Sequence, residues 1–169
     1  MGHYFPRFQS SCLAMVLSVF FASAHAAPFA QGDMSVSVVI GSGQAFNDNY
    51  TIVGAGVGYY VADGLRLGVD AEIWLGGRID INKVSPQVQY VFARTEKLKP
   101  YLGAFYRRAT IEGLEDLNSA GARAGVYISN REGYYLSFGI VQENYLSCDE
   151  KVYVSCSDTY PEISLTISL

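Results

Sequence analysis

Residues 160–169 (YPEISLTISL) alternate apolar and polar positions to the end of the chain. Ile163, Leu165, Ile167 and Leu169 fall on one side, and Glu162, Ser164, Thr166 and Ser168 on the other. A strand carries successive side chains to opposite faces, so this is a strand with one greasy and one wet face. Similar segments recur upstream at about 33–46, 50–61, 65–76, 79–93, 99–111, 120–129 and 133–146, with the last at 158–169. Each approaches or exceeds the roughly 9–11 residues that a tilted membrane strand needs. No amphipathic helix competes with them, and no linker, low-complexity tract or internal repeat interrupts them.

The apolar face collects Met34, Val36, Val38 and Ile40; Val53, Ala55, Val57 and Tyr59; and Leu67, Val69, Ala71, Ile73 and Leu75. Further on it holds Val84, Pro86, Val88, Tyr90 and Phe92, then Ala122, Ala124, Val126 and Ile128, then Tyr134, Leu136, Phe138 and Ile140. The other face is small or polar: Ser35, Ser37, the row Gly54, Gly56 and Gly58, Gln87, Gln89, and the charged Arg66, Asp70, Glu72, Arg123, Glu143 and Glu162. The fifth segment alternates poorly, and the pair Arg107-Arg108 breaks its parity, which predicts a bulge there. Pro86 removes a ladder donor from the fourth, which predicts a bulge or weak pairing. Tight joints at Ala62-Asp63-Gly64 and Asn130-Arg131-Glu132-Gly133 lie on one side, with the charged stretch near 94–99. Most joints on the other side are longer and more acidic. Short turns opposite long loops are the pattern of outer-membrane barrels.

Alternation alone does not say which face is inside. The polar face is too poor in Lys and Glu to be a hydrated exterior, and its Gly and Ser suit a crowded interior. Its charges are of both signs, as pairing within a narrow lumen requires. The aromatics fall in two bands, Tyr59, Tyr60, Tyr90, Phe92, Tyr101, Tyr127, Tyr134 and Tyr135 near one set of strand ends, and Phe46, Tyr50, Trp74, Phe105, Tyr106, Tyr145 and Tyr160 near the other. Read as interfacial belts around an aliphatic zone, these bands place lipid outside. The expected fold is an all-β, eight-stranded, antiparallel up-and-down transmembrane β-barrel.

Residues 1–26 read as a signal peptide, with Arg7 before the apolar run 13–22 and Ala24-His25-Ala26 at the cleavage site. The run is about ten residues, short of the roughly 20 that a spanning helix needs. The barrel domain is then 27–169. Without Arg7, 11 Lys+Arg face 16 Asp+Glu, a net charge of −5, which disfavours nucleic acid as a partner. Charged residues make up 17% of the chain, below the usual ~25% of soluble domains. Export to an oxidising compartment predicts a disulfide between Cys148 and Cys156. Its short loop would contribute about 2–3 kcal/mol.

With the signal ending at Ala24-His25-Ala26, the eight alternating segments, the stretch YYVADGL at 59–65 and the closing strand at 161–169, the chain resembles the small eight-stranded outer-membrane barrels of the OmpA-like and OmpX-like group. The resemblance spans nearly all of 27–169 and is one of pattern rather than of a signature motif. It implies bacterial outer-membrane residence, a bilayer of lipid and lipopolysaccharide as surroundings, delivery by the barrel-assembly machinery, and a monomer. Such barrels usually end in an aromatic residue, whereas this chain ends in Leu169.

Little catalytic chemistry is on offer. Both histidines, His3 and His25, precede residue 27, which removes Ser-His mechanisms and His-containing zinc sites from 27–169. Asp70 and Glu72 share a face and could be read as an acid–base pair, the basis of an envelope enzyme using carboxylates alone. The reading adopted makes them counter-ions to Arg66, Arg107 and Arg123. The glycines at 41 and 43 and at 54, 56 and 58 open no helix, so they are not phosphate loops. The acidic residues Glu112, Glu115, Asp116, Asp149 and Glu150 read as a solvated rim rather than a cation site. No catalytic, cofactor or metal site is expected. The candidate site is instead a lumen charge network of Arg66, Asp70, Glu72, Arg107, Arg123, Glu143 and Glu162. The resulting expectation is a non-enzymatic barrel with a plugged lumen, acting structurally or through its outer loops on a surface partner. The alternative is a small pore for ions or apolar molecules, using the glycine row as a gap.

Overall fold

A computed structural model describes residues 27–45, 48–94, 97–113, 115–131, 133–146 and 156–169. Eight strands follow one another: β1 (Met34–Ala45), β2 (Asp48–Ala62), β3 (Leu65–Leu75), β4 (Ile81–Val91), β5 (Leu98–Ile111), β6 (Leu117–Arg131), β7 (Tyr134–Tyr145) and β8 (Ser157–Ser168). Each pairs antiparallel with its neighbour in sequence, and β1 pairs with β8, closing an eight-stranded all-β barrel. Closure leaves no open sheet edge, the condition for placing strands in hydrocarbon. The segments expected from alternation coincide with these strands to within about three residues, because a two-residue period with one apolar face specifies strand and register together. One end of the barrel carries the leading residues, the C-terminus and the joints after β2, β4 and β6. It is called the terminus end here, and the other is the loop end.

Val69 is 45% exposed and its neighbour Asp70 is 1% exposed. The same contrast runs round the barrel. Val36, Val38, Ile40, Val53, Val57, Leu67, Ile73, Val84, Leu102, Leu136, Ile163 and Leu165 face outward, while Ser35, Ser37, Arg66, Glu72, Gln89, Arg123, Ser137, Glu162 and Ser164 are buried inside. The apolar rows therefore form the outer wall, and the polar rows fill the interior.

One strand irregularity differs from expectation, and the other takes the weak-pairing form expected of Pro86. β5 carries no bulge: Arg107 is buried, Arg108 points out, and the β4–β5 register is the same on both sides of the unpaired stretch at Ser85 and Pro86. Pro86 still pairs with Val69 of β3, so the missing N–H weakens one ladder without shifting it. The register shifts occur instead at Tyr60/Ala62 and Ile128/Arg131, beside the turns.

The aromatic bands also require correction. Tyr60, Tyr101, Tyr127 and Tyr135 of the first band, and Tyr50, Trp74, Phe105 and Tyr160 of the second, are at most 5% exposed and lie inside the barrel. Only Tyr59, Tyr90 and Tyr134, with Phe92 just past β4, form an outward belt at the terminus end. At the loop end Tyr106 points out, and Phe46 lies outside the described residues. Most of these rings build the core rather than the interfacial girdle.

Candidate functional site

The interior is layered. At the loop end, Tyr50, Ile52, Trp74, Ile81, Phe105, Ala109, Ile111, Val141 and Tyr160 pack into one apolar cluster. At the terminus end, Phe29, Tyr60, Val91, Tyr101, Tyr127 and Tyr135 form a second. The charged residues sit between and against these two seals. An eight-stranded barrel has room for little beyond its own side chains, and here they occupy most of it.

Arg107, 0% exposed, organises the upper charged layer. Its Nε donates to Ser85 Oγ at 2.7 Å, Nη2 to Glu72 Oε1 at 2.5 Å, and Nη1 to Glu143 Oε2 at 2.7 Å and Tyr160 Oη at 2.5 Å. One guanidinium thus ties β5 to β3, β4, β7 and β8 across the interior. The fork of donors suits this role, because it satisfies two carboxylates and two hydroxyls at fixed angles. Glu143 also accepts from Ser119 Oγ at 2.5 Å and Tyr160 Oη at 3.0 Å, and Lys83 Nζ lies 3.5 Å from it. Lys83 is capped by the Trp74 ring, with Nζ 3.7 Å from the ring centre.

A second layer lies deeper. Arg123 Nη1 is 3.1 Å from Asp70 Oδ2 and 3.5 Å from Glu162 Oε1. Arg66 donates Nε to Ser35 Oγ at 2.9 Å, and Gln89 donates to Tyr127 Oη at 2.9 Å. A small cavity opens among Arg66, Asp70, Gln87, Arg123 and Glu162. All seven residues read as a lumen network are buried inside, in two groups: Glu72, Arg107 and Glu143 form one, and Asp70, Arg123 and Glu162 the other. Arg66 bonds a serine instead of a carboxylate. Asp70 and Glu72 hold different arginines and do not form a paired acid–base site.

Lys83, Ser85, Ser119 and Tyr160 belong to the network and escaped the sequence reading. Parity carried the signal: Lys83 and Ser85 share a face with Gln87 and Gln89, and Tyr160 shares one with Glu162.

The glycine row of β2 faces the charged residues of β3 directly, Gly54 opposite Glu72 and Gly56 opposite Asp70. A side-chain carbon on Gly56 would overlap the Asp70 carboxylate, one on Gly58 the Arg66 guanidinium, and one on Gly54 would sit 2.9 Å from Glu72 Cγ. The row is therefore occupied space, and the gap expected for a pore is filled by β3 side chains.

Outside the barrel at the loop end, Arg78 donates Nε to Asp48 Oδ2 at 3.0 Å, a bond that raises the Arg78 guanidinium above its ordinary value. Arg108 donates to Asp116 Oδ2 at 2.6 Å. These pairs are exposed and contribute little to stability. Among the described residues, no group of three acidic, His or Cys side chains is placed to hold a metal. Asp149, Glu150 and Cys148 lie outside the described residues, and Cys156, just before β8, is disulfide-bonded.

No protein-family model matches the chain, and no curated protein matches it significantly in sequence. Solved structures do. The N-terminal β-barrel domain of Pseudomonas aeruginosa OprF superposes with a TM-score of 0.69 at 14% identity, covering 82% of this chain and 98% of that one. The fold is that of the small eight-stranded outer-membrane barrels. Neisserial surface protein A aligns with a TM-score of 0.58 at 14% identity over 80% of this chain and 95% of its own. A de novo designed transmembrane β-barrel gives 0.59 at 18% identity over 82% and 97%. At such identities the likeness speaks to the fold alone.

Proposed function

We propose that the chain is a non-enzymatic barrel of the bacterial outer membrane whose sealed lumen serves stability, and whose role is exercised from the membrane through its outer loops. The observation that carries this reading is the closed interior: two aromatic clusters and the Arg107 layer seal the barrel toward both ends and leave one small enclosed cavity around Arg66, Asp70 and Arg123. The exposed Val, Leu and Ile rows support contact with lipid, and the resemblance to outer-membrane barrels supports that location. The same reading takes the loop end as the cell surface, facing lipopolysaccharide and a surface partner. Residues 1–26 are the export signal, and Cys148 with Cys156 tethers the longest loop. Asp70, Glu72, Glu143 and Glu162 each lie within 3.5 Å of a buried arginine or lysine, which supports a structural rather than a catalytic use. The filled glycine row lends no support to the pore reading.

Reconstitution into planar bilayers tests this. The purified, folded protein is expected to give no large, stable conductance steps. Sustained open currents at the level of a water-filled channel would contradict it. Cell fractionation with a heat-modifiability gel checks residence and barrel closure together.

A further inference from the structure

Residues 27–33 form no strand, yet they are not loose at the barrel mouth. Phe29 is 3% exposed and enters the lumen at the terminus end. Its ring centre lies 4.4 Å from that of Tyr135, 5.6 Å from Tyr127 and 5.7 Å from Tyr60, mostly edge-on, an arrangement that aromatic pairs favour. Lys99 Nζ lies 5.8 Å from the same ring. The other members of this seal come from the barrel wall. Phe29 is the one member that does not.

The backbone around it is shaped to deliver the ring. Phe29 has φ of 65°, the left-handed region that a bulky residue adopts only when its surroundings impose it, and it is the one non-glycine residue with positive φ among those described. Asp33, 1% exposed, clamps the turn: Oδ2 accepts from the Phe29 N–H at 2.9 Å and Oδ1 from Ser168 Oγ at 2.7 Å. The Gly64 N–H donates to the Phe29 carbonyl at 2.7 Å, the Gly32 N–H to the Tyr60 carbonyl at 2.8 Å, and the Gln31 N–H to Asp63 Oδ1 at 2.8 Å. An ordered turn with a strained, buried ring at its tip is a built contact, because a free terminal segment would relax to ordinary backbone angles.

We propose that residues 27–33 are a stopper separate from the barrel wall: a cage of Tyr60, Tyr127 and Tyr135 is a binding site for an aromatic side chain, and Phe29 is its resident ligand. The stopper closes the terminus end. Withdrawing the ring opens the lumen from that side as far as the charged layer, while the Trp74 cluster still closes the other. The proposal goes beyond the sealed-lumen reading, and its failure is distinguishable, because the loop-end seal alone keeps conductance low.

Thr166 is 3% exposed and pairs in register with Tyr135, just inside the cage. In detergent-solubilised, heat-modifiable full-length protein, a Thr166→Cys reporter is to be reacted with a small, charged methanethiosulfonate. Labelling is expected to be slow with Phe29 present and about tenfold faster or more with Phe29→Ala, as access to a buried thiol tracks local opening. Tyr106→Ala, on the outer wall toward the loop end, is expected to leave the rate unchanged. Equal rates with and without the Phe29 ring, or equal acceleration by Tyr106→Ala, would overturn the proposal. If Phe29→Ala does not fold, Phe29→Trp in a Trp74→Phe background decides. Its emission is expected to be shielded from iodide, and quenching as free as that of an exposed indole would overturn the assignment.

Discussion

Arg107→Met is expected to destabilise the folded barrel by about 3–5 kcal/mol, the cost of removing one partner of a buried ion pair. The methionine fills much of the space but leaves Glu72 and Glu143, both buried, without the guanidinium that holds them at 2.5 and 2.7 Å. Lys83 remains 3.5 Å from Glu143 and offsets one of the two negative charges. Urea titration in lipid vesicles, followed by the shift between folded and unfolded gel bands, should show the midpoint fall. Adding Glu72→Gln, while Glu143 keeps Lys83 as its buried counter-ion, is expected to recover most of the loss, because no uncompensated charge is then buried. Failure of this neutral double variant to recover stability would assign the Arg107 effect to packing instead.

Trp74→Ala is expected to cost about as much, roughly 3–5 kcal/mol, by leaving a cavity at the centre of the loop-end seal. The ring is 0% exposed, lies 5.8 Å from Tyr50 and 5.9 Å from Tyr160, and covers the Lys83 ammonium. Its loss exposes a buried cation to the new void as well as removing apolar contact. The same titration reads this effect, and Trp74→Phe should retain most of the stability. A Trp74→Ala barrel as stable as the parent would mean that the ring is not part of a packed interior.

The strands were legible because one row of Val, Leu and Ile alternates with one row of Gly, Ser and charge, and only one register keeps those rows apart. The charged residues of the lumen were legible for the same reason. The direction of the aromatics was not read correctly, since a Tyr near a strand end suits an interfacial belt and a plugged mouth equally well. Parity separates the two: Tyr60 follows Gly58, Trp74 follows Glu72, and Tyr160 precedes Glu162, all on the inner row. In β5 parity itself was masked. Phe105, Ala109 and Ile111 make the inner face apolar at the loop end, so both faces of the strand look greasy and Arg107-Arg108 looks like a break. Phe29 gave no periodic signal, because it lies outside every strand and its place is set by tertiary contacts to three tyrosines.

The sidedness of the wall is tested most directly by two tryptophans at the same depth. Trp74, the one tryptophan of the chain, points inward, and its neighbour Ile73 is 51% exposed on the outer row. In vesicles containing brominated phospholipid, the native Trp74 fluorescence should be quenched far less than that of Ile73→Trp in a Trp74→Phe background. Stronger quenching of Trp74 than of the tryptophan at 73 would place the charged row against the lipid and contradict the account.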